Sequence, residues 1–144
     1  MSDRDLTQAR RASLRVLYAV DVSGLPPLQV LENLRGTLAD EGEQPDPHWE
    51  QVVLRVTDLL ANLESIDAEI RRLSPRWRIE RMAVVDRNLL RLGIHEILQR
   101  STRALLTINA AVELAKEFGA ASTPAFINGL LDQLCQDHEI PIKS

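Results

Sequence analysis

The apolar residues of this chain recur at spacings of three and four almost from end to end, and that period restricts the fold more than any other feature. Sustained strand-like alternation is missing. The one Asn-Gly pair, Asn128-Gly129, sits inside a helix-period stretch rather than between β-branched runs. Turn residues divide the pattern: Gly24-Leu25-Pro26-Pro27, the run Glu41 to Pro47, Ser74-Pro75, Gly119, and Ser122-Thr123-Pro124. The pattern predicts helices over about 3–22, 28–40, 47–63, 65–73, 79–100, 107–118 and 123–136. The stretch 79–100 reads as one helix or as two, because Ile79–Val85 and Asp86–Arg100 each have a start. Asp46 is expected as an N-cap with Pro47 in the first turn, Thr107 as a later cap, and Ser122-Thr123-Pro124 as a cap followed by a first-turn proline. The fold class is therefore all-α, a compact bundle of six or seven helices. Ser74-Pro75 divides a single domain of 1–144 into an N-terminal part, about 1–73, and a C-terminal part, about 76–144. Each part alone is small for a stable core, so the two are expected to pack together.

Aromatics are only 3% of the 144 residues, so the core must be built from Leu, Val, Ile and Ala. A single cysteine, Cys135, rules out an internal disulfide and a cysteine metal cluster. The charged opening Met1-Ser2-Asp3-Arg4-Asp5 has no apolar signal region, and no apolar run approaches the ~18 residues of a membrane span. The expected location is cytoplasmic, with no membrane partner.

Net charge is −4, but it is unevenly spread. Residues 1–20 carry +2, residues 21–70 carry −9, residues 71–103 carry +6 and residues 104–144 carry −3. Two basic segments flank an acidic one. At about 100° per residue, Leu6, Ala9, Ser13, Val16, Leu17 and Val20 share the inner side of the first helix. Arg4, Gln8, Arg11 and Arg15 fall on an outer stripe about 60° wide, Tyr18 lies beside its end, and Arg10 lies on the flank. Such a stripe is most often only a solvated helix face. Beside an aromatic it also suits single-stranded RNA, because guanidiniums fork onto phosphates and a flat ring stacks on an unpaired base.

No catalytic constellation is present. His48, His95 and His138 lack metal-ligand spacing, His95-Glu96 has no second His, and no phosphate loop or nucleophile elbow occurs. Neither a cofactor nor a metal is expected. Gly93 and Gly129 are expected to let helices approach closely. Phe118 and Phe126 are expected chiefly as core residues, and Asn109 as a cap or loop hydrogen-bonder.

Three ordered stretches make the second half recognisable. They are Arg81–Leu98 (RMAVVDRNLLRLGIHEIL), Ile108–Gly119 (INAAVELAKEFG) and Phe126–Asp132 (FINGLLD). Together with the Arg-rich first helix running into Leu17-Tyr18, they resemble the NusB family over about residues 4 to 135. The resemblance implies an all-helical fold of two subdomains. It implies a transcription antitermination factor that binds boxA-type single-stranded RNA with NusE, a small-subunit ribosomal protein, and joins the RNA polymerase antitermination complex in ribosomal RNA synthesis. It also implies that a homodimer hiding the RNA site is one state open to the chain.

Carried onto this sequence, the resemblance places Arg10 and Arg11 in the RNA-binding segment, with Arg4 and Arg15 on the same helix. It makes Tyr18 the RNA-proximal aromatic, puts Asp86 near the RNA and partner surface, and places Ser122 and Phe126 at the RNA-facing start of the last helix. The chain departs from the family where Thr7, Gln8 and Ala9 thin the basic run. Ala110 replaces a Glu that would complete a capping box on Thr107, and Ala121-Ser122 replaces an acidic pair. Ala125 stands where several members carry Lys. Against the RNA reading stands a protein–protein adaptor or homodimer with little RNA affinity. An enzymatic role, known for NusB-like domains fused to an RNA methyltransferase domain, would need a cofactor-binding domain this sequence lacks.

Overall fold

The computed structural model describes residues 2–40 and 48–142, with the backbone alone for 37–40. The expected Asp46–Pro47 cap lies outside the described residues. Seven α-helices and one 3-10 turn occur among them, with no strand. These are α1 (Asp3–Ser23), α2 (Pro27–Asp40), α3 (Trp49–Ala61), α4 (Leu63–Leu73), the turn Ile79–Arg81, α5 (Val84–Gln99), α6 (Ala104–Phe118) and α7 (Thr123–Asp137). The contacts divide the chain into Met1–Ala61 and Asn62–Ser144. The division falls a helix earlier than Ser74-Pro75, because α4 packs on α5 and α7.

In the first unit α1 packs on α2 and α3. A capping box opens α1: Ser2 Oγ accepts from the Asp5 amide at 3.2 Å, and the Asp5 carboxylate accepts from the Ser2 amide at 3.2 Å. Gly24 closes it at φ 68°, a left-handed conformation that favours glycine. Ala9, Ser13, Val16 and Leu17 are buried as their wheel positions predict, but so are Leu14 and Arg10. The covered arc therefore spans about 160° of the helix, wider than the apolar letters alone mark out. The hidden faces of α2 and α3 carry Val30, Leu31, Val52, Val56 and Leu59.

In the second unit α5, α6 and α7 pack on one another, and α4 lies against α5 and α7. Leu89, Leu90, Ile94, Ile97, Ile108, Ile127, Leu131 and Leu134 are almost fully buried. Gly93 performs its expected role, since a Cβ there would stand 2.8 Å from Leu131 Cδ1. Gly129 does not: a Cβ there would meet nothing within 4 Å, because its side of α7 is exposed. Phe118 is 43% exposed at the end of α6 rather than a core residue.

One helix start differs from expectation, and one alternative is settled. α6 begins at Ala104 because Ala-Leu-Leu favours helix and Ala104, Thr107 and Ile108 share a buried side. Thr107 is thus inside the helix and caps nothing, Asn109 is an exposed interior residue, and Ala110 is not at a capping-box position. Between Ile79 and Arg100, the extended residues Met82 (ψ 149°) and Ala83 (ψ 141°) separate the 3-10 turn from α5. Asp86 lies within the first turn of α5, where the helix dipole favours a carboxylate.

Two polar clasps fix α4. Arg91 on α5 grips Asp67 bidentately, Nε to Oδ1 and Nη2 to Oδ2 both at 2.9 Å, while its Nη1 donates to Asn88 Oδ1 at 3.0 Å. At the far end Arg72 pairs with Glu69 and Asp137, and His138 Nε2 lies 2.9 Å from Glu69 Oε1. Burial alone would raise the Glu69 carboxyl, but the Arg72 and His138 hydrogen bonds outweigh it and leave it below its ordinary value. Hydrogen bonds from Arg72 and then Gln133 lower Asp137 likewise.

Candidate nucleic-acid interface

Helical periodicity sets out the first group of candidate residues. Arg4 and Arg15 are exposed and Arg11 is half-buried on the outer side of α1, over a length of about 16 Å. Tyr18, 43% exposed, ends the stripe. Asp5, one of the two acids flanking Arg4, is held by Ser2 and by His48, whose Nε2 stands 3.2 Å from Asp5 Oδ1. The Ser2 hydrogen bonds, with a smaller contribution from His48, keep its carboxyl below the usual range. Arg10 differs from the others. It projects into the arc closed by Leu14 and is only 8% exposed. A guanidinium so placed supports the helix rather than reaching for a phosphate.

The second group gathers where α7 begins. Asp86 Oδ1 accepts a 3.0 Å hydrogen bond from Thr123 Oγ1, and the same hydroxyl accepts from the Ala120 amide at 3.0 Å. Thr123 is 1% exposed, so this hydroxyl fastens the first turn of α5 to the loop before α7. Ser122, one of the two hydroxyls at the expected cap, is exposed at helical φ and ψ and makes no side-chain cap hydrogen bond. Its neighbour has taken the structural role, leaving the Ser122 hydroxyl at the surface. The signal for Thr123 was present in the sequence: Ser-Thr-Pro offers two hydroxyls, and spacing alone does not say which turns inward. Gly119 in the same loop is also required sterically, because a Cβ would meet Thr123 at 2.7 Å and the Ala115 carbonyl oxygen at 2.8 Å.

Phe126 is half-buried and lines a cleft of about 490 Å³ with Leu73, Pro75, Trp77, Gly129 and Leu130. Sequence reasoning did not single out Trp77, although it is 64% exposed. Its signal was available as an indole between two arginines in Arg76-Trp77-Arg78. Arg4, Arg10, Arg11, Arg15 and Tyr18 stand on the first unit, and Asp86, Ser122 and Phe126 on the second.

Burial pushes the Cys135 thiol above its ordinary pKa, with Asp132 adding to the effect, which suits a packed thiol rather than a nucleophile. Among the described residues no group of three His, Cys, Asp or Glu could hold a metal ion, and no helix is long and apolar enough to cross a membrane.

Comparison with known proteins identifies the family. The model of the NusB family matches residues 7–136. The transcription antitermination protein NusB of Geotalea daltonii is 39% identical over 133 residues, which cover 88% of this chain and 91% of that protein. The NusB of Thermoanaerobacter sp. strain X514 is 39% identical over 131 residues, 91% of this chain and 90% of that protein. Among solved structures, T. maritima NusB superposes with a TM-score of 0.80 at 30% identity, covering 94% of this chain and 92% of that one. A crystal structure of the antitermination factors NusB and NusE in complex with double-stranded RNA also matches, with a TM-score of 0.80 at 25% identity over 94% of this chain and 99% of that one. With the motifs in order along the sequence and the helices matching in three dimensions, this chain belongs to the NusB family.

Proposed function

We propose that this chain is an RNA-binding transcription antitermination factor that acts by binding, not by catalysis. On this reading it recognises a boxA-type single-stranded RNA together with NusE, and the complex joins RNA polymerase during ribosomal RNA transcription. The observation that carries the reading is the α1 stripe: Arg4 and Arg15 exposed, Arg11 half-buried between them and Tyr18 at the end, in a chain of this family. The arginines take successive phosphates and Tyr18 offers its ring to an unstacked base. Ser122 presents a hydroxyl and Phe126 an aromatic edge at the start of α7. Asp86, held by Thr123, positions that start and does not itself seek a phosphate. Arg10 contributes from within the fold by supporting α1.

The solved relative with NusE holds double-stranded RNA. An arginine stripe can follow a duplex backbone, but reading sequence requires splayed bases, because side chains do not reach into the deep groove of A-form RNA. The single-stranded form is therefore the selective one in this proposal.

Fluorescence anisotropy of a labelled boxA-type RNA tests the reading, with and without NusE, against a scrambled strand and a duplex of the same sequence. Selective binding of the single strand that tightens with NusE is the expected result. Equal affinity for all three RNAs would reduce the protein to a general polyanion binder. No RNA binding even with NusE, together with self-association on a sizing column, would replace the reading by the homodimeric adaptor.

A further inference from the structure

We infer that Trp77 is a nucleobase-stacking platform: a base of the bound single strand enters the cleft between its indole and α7, and Arg76 and Arg78 take the adjoining phosphates. The inference rests on the RNA-binding reading above and assigns it a contact in the second unit that neither periodicity nor the family motifs single out.

Four observations converge on it. The first is exposure, since an indole left 64% open to water forgoes the burial a tryptophan ordinarily gains. The second is that its mount is rigid. The Trp77 amide donates to the Ser74 carbonyl at 3.0 Å, and the buried Ser74 hydroxyl lies 2.6 Å from the Ile70 carbonyl oxygen and 3.4 Å from that of Trp77. The Trp77 amide is thus tied to a buried residue, which leaves less backbone ordering to be done on binding.

The third observation is another part of the same lining, on α7. Gly129 lies in the interior of α7, where glycine weakens a helix, yet nothing within 4 Å of its absent side chain requires it. Its effect is to keep the cleft open down to the helix backbone beside Phe126. The cleft is shallow and open to water, and its lining is mostly apolar, as the face of a stacked base requires.

The fourth observation is charge. Residues 71–81 hold five arginines and one glutamate. Arg71 is taken up by Glu80 and Arg72 by Glu69 and Asp137. Arg76 and Arg78 are exposed on either side of Trp77, and Glu80, which already pairs with Arg71, also feels Arg78 at longer range. An aromatic face between guanidiniums meets both halves of a nucleotide at once. A plain apolar peptide would leave that charge unanswered.

The test uses the full chain with Trp49→Phe, which leaves Trp77 as the only indole. The boxA-type RNA is titrated while Trp77 fluorescence and RNA anisotropy are read together. Quenching that saturates with the anisotropy change is expected. Trp77→Ala in the otherwise unaltered chain should weaken binding about 10- to 100-fold, with Trp77→Phe recovering most of it. Gly129→Leu, which fills the cleft with a strong helix former, should lower affinity while leaving the thermal midpoint unchanged or higher. The difference in emission between the unaltered chain and Trp77→Phe gives the same readout should Trp49→Phe disturb folding.

RNA binding with unquenched Trp77 and unchanged affinity in Trp77→Ala would overturn this inference and leave the function standing. Quenching by NusE alone, unaltered by RNA, would overturn it in favour of a protein-docking surface. No RNA binding by the unaltered chain would overturn both.

Discussion

Thr123 shows how much can depend on one hydroxyl. Its Oγ1 receives the Ala120 amide and donates to Asp86, both at 3.0 Å, in a position almost closed to water. Thr123→Val keeps the shape and removes both bonds, leaving an amide and a carboxylate oxygen partly buried without partners. The expected cost is about 1–3 kcal/mol in unfolding free energy. Ser122→Ala, which loses only a surface hydroxyl, should stay within about 0.5 kcal/mol. Denaturant unfolding of the two variants distinguishes them, and equal losses would return the capping role to Ser122. The sequence marked this segment as a helix start and named its chemistry. It did not mark the rotation that turns one hydroxyl in and the other out, because both lie on the same few residues. Arg10 makes the same point. A wheel drawn from apolar letters alone put it on the flank, whereas Leu14 extends the buried arc past it.

At the scale of elements the helices were legible because their period is local, and most of their ends because Gly and Pro act locally too. What escaped was set by tertiary contact. α6 starts a turn before the expected cap because Ala104 is buried, and α4 belongs with α5 and α7 although Ser74-Pro75 breaks the chain after it. Gly93 and Gly129 read alike in the sequence, yet only Gly93 has Leu131 against it. The Asp67–Arg91 pair was equally hidden, since 24 residues separate its members. With side chains 12% and 13% exposed, the two are mostly out of water, and Arg91 is further bonded to Asn88. Removing one partner strands the other charge. Arg91→Ala or Asp67→Ala should therefore lower stability by about 3–5 kcal/mol. Arg91→Met with Asp67→Leu together, which leaves no charge behind, should lose much less. Thermal and denaturant unfolding of the three variants measure this. A double variant as unstable as the singles would mean that packing, not the buried charge, dominates.

For the whole molecule, the question is how a chain of net charge −4 holds a polyanion. Bulk charge opposes the encounter, so attraction must come from arginines close to phosphates, over distances short compared with the ~10 Å Debye length at 0.1 M salt. That local mechanism has a measurable signature. Each phosphate contact releases counterions, and for a single strand the slope of log affinity against log salt is about −0.7 per contact. Neutralising Arg11 and Arg15 together should therefore make the slope shallower by about 1.4, while weakening binding most at low salt. Tyr18→Ala removes a stacking contact rather than a charge, so it should lower affinity at every salt concentration and leave the slope alone. Anisotropy titrations of boxA-type RNA across a range of KCl concentrations separate the two effects. An unchanged slope in Arg11→Ala with Arg15→Ala would take the α1 stripe out of the interface. The positive excess of 71–103 would then be the remaining source of phosphate contacts, and the same titration on Arg76→Ala with Arg78→Ala would show whether the slope moves there instead.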